Sequence, residues 1–146
     1  MYGEDYTDDF GEIRVSSLKV IRDVFETHEP LVEENRLDDF DPRELRVYYS
    51  EGFEESGRFD VRWSRTNSYN FHYTEGEDFD FRYDRHPNDH SPEKHFHAPE
   101  DTRSEDAVES CIDVEQDHLV ALAVVQLWRT AWEKNYLSLL NRGSPP

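Results

Sequence analysis

Three consecutive segments of this chain alternate strictly between large apolar and polar side chains, and that period of two limits the fold more than any other feature. Phe59, Val61 and Trp63 oppose Asp60, Arg62 and Ser64; Tyr69, Phe71 and Tyr73 oppose Asn70 and His72; Phe79, Phe81 and Tyr83 oppose Asp80, Arg82 and Asp84. In an extended backbone such alternation sends one set of side chains to each face, the pattern of half-buried strands. The connections at 65–68 and 74–78 are too short for a crossover, so the strands must run antiparallel as a meander. Leu45–Tyr49 reads as a strand before them. One face of the predicted sheet is aromatic and must be covered; the other carries Arg62, His72 and Arg82.

The cover is supplied by helical periodicity at both ends. Leu18, Ile21, Val24 and Phe25 recur at spacings of three and four, which predicts a helix from Ile13 to about His28. Pro30 suits the first turn of a second short helix over Leu31–Leu37, and Asp38–Pro42 reads as a turn. Near the other end, Asp113 and Gln116 match a capping box opening a helix that runs to about Lys134, apolar enough around Leu119–Val125, Leu127, Trp128, Ala131 and Trp132 to be buried. A short strand is expected at Cys111–Val114. The expected fold class is therefore α+β: an antiparallel meander sheet of four to six strands covered by a long C-terminal helix, with an N-terminal helical arm. Residues 1–12 and 141–146 are read as flexible tails around a single domain at 13–140.

The charge balance speaks to solvent more than to ligand. The net charge is -18, yet Lys occurs only at positions 19, 94 and 134, so Arg supplies 13 of the 16 cations. Acidic, Lys-poor and Arg-rich composition resembles that of proteins from salt-loving archaea. At molar salt the Debye length is about 3 Å, so such a surface repels a polyanion far less than in dilute buffer. The charge is also unevenly spread, since residues 58–97 hold six Lys or Arg against eight Asp or Glu. Cys111 is the only cysteine and excludes an internal disulfide; the N-terminus has no secretory pattern, and the longest apolar run, Leu119–Val125, is far short of the roughly 20 residues that span a bilayer. A cytoplasmic protein without membrane contact is expected.

Chemistry is concentrated just after the third alternating strand, where His86, His90, His95 and His97, four of the seven histidines, lie within a dozen residues. Metal ligation by this group, with Asp89, is one reading. Pro87 and Pro92 disfavour a helix there, however, and the spacing matches no strict zinc pattern. Simple hydrogen bonding of these imidazoles to loop backbone and to Asp84 or Asp89 is another. His95 and His97, two apart on an extended piece from Lys94, share a face. Arg62, His72 and Arg82 converge on the polar face of the meander, extended by Arg85. Guanidinium forks bind phosphate oxygens and imidazoles transfer protons, which suits metal-independent RNA cleavage. His95, His97, His86, Arg82 and His72 are the candidate catalytic residues; Arg62, Arg82 and Arg85 are candidates for RNA binding. Pairing of Arg62 and Arg82 with Asp60, Asp80 and Asp84 is the plain structural alternative. No cofactor fingerprint is present.

The run Phe81-Arg82-Tyr83-Asp84 entering a Pro/Asn/His loop, followed by His95-Phe96-His97, resembles the TumE-type toxins of toxin-antitoxin pairs. The resemblance spans about residues 45–100 and matches Arg82, Asp84, His86, His95 and His97. It implies a toxin acting on RNA or translation, with a cognate antitoxin protein as partner. Two alternatives stay open: a non-enzymatic protein-binding module and a His-rich metal-binding protein. Self-association into a homodimer is also left open.

Overall fold

The computed structural model describes residues 10–86, 93–99 and 107–146. Seven strands form one antiparallel sheet whose spatial order follows the sequence: β1 (Val32–Leu37), β2 (Leu45–Tyr49), β3 (Arg58–Trp63), β4 (Tyr69–Glu75), β5 (Phe79–Arg85), β6 (Lys94–His97) and β7 (Val108–Glu109). Helices α1 (Val15–His28) and α2 (Asp117–Lys134) pack on each other, and a 3-10 helix (Leu137–Asn141) follows. The fold is the expected α+β meander, with one strand more than the upper bound read from the sequence.

The alternation decides which face is covered. Phe59, Val61, Trp63, Tyr69, Phe71, Tyr73, Phe81 and Tyr83 are all essentially inaccessible, while Asp60, Arg62, Asn70, His72, Asp80, Arg82 and Asp84 are half-buried on the opposite face. Leu18, Ile21 and Phe25 of α1 and Trp128 of α2 close the aromatic side. The Trp128 ring lies 4.5 Å from that of Tyr49 and 5.3 Å from that of Phe53. Its neighbour Trp132 donates from Nε1 to the Gly52 carbonyl at 3.0 Å, tying α2 to the β2–β3 connection. That connection is gathered by buried Glu75, whose carboxylate accepts the backbone N–H groups of Phe53, Glu54 and Glu55 at 2.6, 2.8 and 3.1 Å. Gly57 is required where the chain re-enters β3, because a Cβ there would meet the Tyr73 hydroxyl at 2.1 Å. A second buried carboxylate, Glu29, accepts from Leu31 N at 3.2 Å and lies 3.7 Å from Arg129 of α2; burial pushes it above the ordinary carboxylate range.

Four local expectations are corrected. Of residues 31–37, expected as a helix, Val32–Leu37 form β1, paired antiparallel with β2. Edge backbone groups of β2 need partners, and a strand supplies them while keeping Glu34 and Arg36 in solvent and Leu37 against the core. Cys111–Val114 is not a strand; the pairing with β6 is made by Val108 and Glu109, and Ile112 is buried as a plug instead. No capping box forms, since Gln116 is itself the residue before α2 and makes no side-chain cap hydrogen bond. Ser64 is buried, not outward, because residues 12–14 cross it through an Ile13–Ser64 bridge, and its Oγ accepts from Thr66 N and Ser68 N.

Candidate functional site

Strand register turns the polar alternation into rows that run across the sheet. Arg36 faces Arg46, which faces Asp60, then His72, Arg82 and His97 on successive strands. The next row contains Arg62, Asn70, Asp84, His95 and Glu109. Residues distant in sequence thereby become neighbours, at strand spacings of about 4.8 Å. The structure brings His72, Arg82, His95 and His97 together on one face, around β5.

Arg82 sits between two imidazole–carboxylate pairs. His72 Nε2 lies 2.8 Å from Asp80 Oδ2, and His97 Nε2 lies 3.0 Å from Asp84 Oδ2; the same Asp84 oxygen accepts from Arg82 Nε at 3.0 Å. Alternation on β5 explains the arrangement, because Asp80, Arg82 and Asp84 are successive outward residues. A carboxylate on one ring nitrogen fixes the ring and leaves Nδ1 as the atom that can meet a ligand. The two histidines differ in access. His72 is about one-third exposed, whereas His97 is only 3% exposed, so His97 braces Asp84 from beneath.

His95, two residues before His97, has its ring centroid 6.2 Å away. Desolvation first, then the charge of His97, hold the His95 imidazole below its ordinary pKa, with His86 and Arg82 adding to the effect against Asp84. Its neutral form is thus favoured in the folded state. A histidine with a lowered folded pKa contributes stability above the unfolded value, near 6.5, and that contribution is lost as pH falls through the folded value. Thermal stability should therefore fall more steeply in the wild type than in His95→Gln as pH drops below about 6.5. Equal falls, measured by thermal denaturation across that range, would remove this assignment. His86 is exposed at the end of β5, on the same side by alternation as Arg82 and Asp84.

A cleft of about 730 Å³ opens on the polar face, floored by Asp60, Arg62, Asn70 and His72 and walled by residues 10–13, Val15 and residues 41–44. Arg62 lies under the Phe10 ring, 4.3 Å from its centroid, and not against an aspartate. Asp60 is taken instead by Arg58 at 2.9 Å, with Arg46 at 3.8 Å. Phe10 belongs to a segment read from the sequence as an idle tail; its one available signal was a large aromatic shortly before the first helix. Arg85 does not join this face. It shares the alternation of Phe81 and Tyr83, and its guanidinium binds Asn67 O at 2.7 Å and Glu93, stitching the sheet end to two turns. Among the described residues, no three His, Cys, Asp or Glu are grouped to hold a metal ion. His90 and Asp89 lie outside the described residues. No helix among the described residues is long and apolar enough to cross a membrane.

The fold and site define a class: α+β proteins in which an antiparallel meander gives its aromatic face to two helices and arrays imidazoles, guanidiniums and carboxylates across the other. More particularly, the chain belongs to the TumE toxin family, whose model, described as Toxin TumE, matches residues 18–129. That stretch holds all seven strands and every residue of the two rows. No curated protein and no solved structure matches the chain significantly.

Proposed function

We propose that the polar face binds and cleaves RNA, and that the protein is the toxin of a toxin-antitoxin pair neutralised by a cognate antitoxin protein. One observation carries the reading: Arg82 lies in register between His72 and His97, with His95 alongside, so a guanidinium is flanked by ionisable imidazoles on one sheet face. A phosphodiester seated on Arg82, with Arg62 reaching it from the cleft, would have His72 on one side and His95 on the other. In the cleavage step one imidazole takes the 2′-hydroxyl proton as the 2′-oxygen bonds to phosphorus. The other delivers a proton to the departing 5′-oxygen as its bond to phosphorus breaks. Charge gathering on the phosphoryl oxygens is met by the guanidiniums. His95, held neutral, is suited to the base role. His97 and Asp84 position Arg82, and Asp80 positions His72.

The reading is tested by expression in a salt-loving host. Wild type should arrest growth, while Arg82→Gln, checked for native thermal stability, should not. Equal toxicity of a folded Arg82→Gln protein would overturn this use of the face.

A further inference from the structure

The polar face continues past the cleft in a direction that the proton-transfer groups do not explain. On β1 and β2, Arg36 and Arg46 are direct register partners. Like charges set opposite each other in an antiparallel pair repel, and here the repulsion is offset by neighbouring carboxylates, Glu34 for Arg36 and Glu44 and Asp60 for Arg46. Each guanidinium is held through Nε by a carboxylate two residues away: Arg36 by Glu34 at 2.6 Å, Arg46 by Glu44 at 3.1 Å and Arg43 by Asp41 at 3.1 Å. These bonds orient the groups through the inner nitrogen. Among the described residues, the outer nitrogens of Arg36 and Arg43 make no hydrogen bond; Arg46 also bonds the Tyr48 side chain, and the Arg36 guanidinium lies over the Tyr48 ring, 5.3 Å from its centroid. The outer nitrogens form the fork that grips phosphate.

The three arginines, with Arg22 of α1, line a second cleft of about 640 Å³. Its wall includes Asp41, Arg43 and Glu44, which also wall the first cleft, so the two hollows are contiguous across one loop. At the tip of that loop Phe40 is 98% exposed, in a turn fixed by Asp38 Oδ1 accepting from Phe40 N at 2.8 Å. An aromatic ring in solvent on the loop that walls both clefts is a platform on which an unpaired base can stack. A paired base offers no free face for this. From His72 on β4 to Arg36 on β1 is three strand spacings, about 14 Å, and that is the rise of about four stacked nucleotides.

We propose that Arg36, Arg43 and Arg46, with Phe40, form a second subsite that takes the flanking phosphates and a base of a single-stranded RNA whose scissile linkage lies at His72 and Arg82. This rests on the RNA reading above and adds its substrate class: an unpaired strand of several nucleotides laid across β1 to β5. In this account the opposed arginines serve the ligand, and their carboxylates keep them aimed.

The test is equilibrium binding of a fluorescent 12-nucleotide unstructured RNA, over a salt series in which the protein stays folded, in a His72→Ala background that slows turnover. Arg36→Gln/Arg46→Gln should weaken binding at least tenfold and flatten its salt dependence. Arg36→Lys/Arg46→Lys should fall between that variant and the parent, and Phe40→Ala should weaken the single strand alone. Cleavage of a dinucleotide by Arg36→Gln/Arg46→Gln in the His72-containing protein should be unchanged. Undiminished affinity in the Gln pair, or equally tight binding of a duplex of the same length, overturns the subsite while leaving cleavage at His72 standing. Loss of antitoxin capture with RNA affinity intact also overturns it, assigning the patch to protein. A parent protein that binds no RNA fails the broader reading itself.

Discussion

Replacing His72 with Ala is expected to lower RNA cleavage by about 10²–10⁴-fold, the usual loss when a positioned acid or base is removed. The change leaves the aromatic face untouched, since His72 projects from the opposite side of β4 from Phe71 and Tyr73. It also leaves Arg82 held by Asp84. The loss should therefore appear in kcat, with RNA affinity close to that of the wild type. Single-turnover cleavage and binding measured on the same preparation distinguish these effects. An equal loss in affinity and rate would make His72 a binding residue and move the proton-transfer role elsewhere on the face.

Trp128→Ala should be the most destabilising single substitution in the core. The indole is inaccessible and packs against Tyr49 at 4.5 Å, Phe53 at 5.3 Å, Tyr73 at 6.0 Å and Trp132 at 5.7 Å between ring centroids. It is the point where α2 meets the sheet and the β2–β3 connection. Truncation removes buried apolar surface and leaves a cavity between rings that cannot close up, at a cost of about 3–5 kcal/mol. Trp128→Phe keeps most of the ring volume and should cost much less. Denaturant unfolding of both variants reads the difference; similar losses would mean that packing of the ring is not what α2 contributes.

What the sequence disclosed follows from where one physical cause acts alone. The aromatic alternation of β3, β4 and β5 is local, and the structure keeps it residue for residue, from Phe59 to Tyr83. The two helices were legible for the same reason. β1 was not, because Val32–Leu37 has helix-compatible acids and becomes a strand only through the unpaired edge of β2, a partner distant in sequence. With β1 unread, the Arg36–Arg46 row could not be seen.

The site was legible in composition and less so in detail. His72, Arg82, His95 and His97 were singled out and do share a face, because alternation and a Phe96 on the aromatic side fix their direction. The burial of His97 under Asp84 is a product of tertiary packing and has no local sign. Arg85 had one that went unused, since it keeps step with Phe81 and Tyr83 and not with Arg82. The pairings of Asp84 with Arg82 and with an imidazole, His97, were among the structural alternatives that the pattern offered; that Asp80 goes to His72 and Asp60 to Arg58, while Arg62 packs under Phe10, depends on tertiary packing.

Acid–base cleavage of RNA by the imidazoles and guanidiniums of the polar face, as proposed, leaves a chemical signature in its products. The most direct measurement incubates the purified wild-type protein with single-stranded RNA in the presence of a strong chelator and identifies the new ends. Cleavage is expected to persist in chelator and to yield 2′,3′-cyclic phosphate and 5′-hydroxyl termini, as attack by the neighbouring 2′-oxygen requires. Intact RNA, or cleavage that stops with chelation and leaves 5′-phosphate ends, would contradict it.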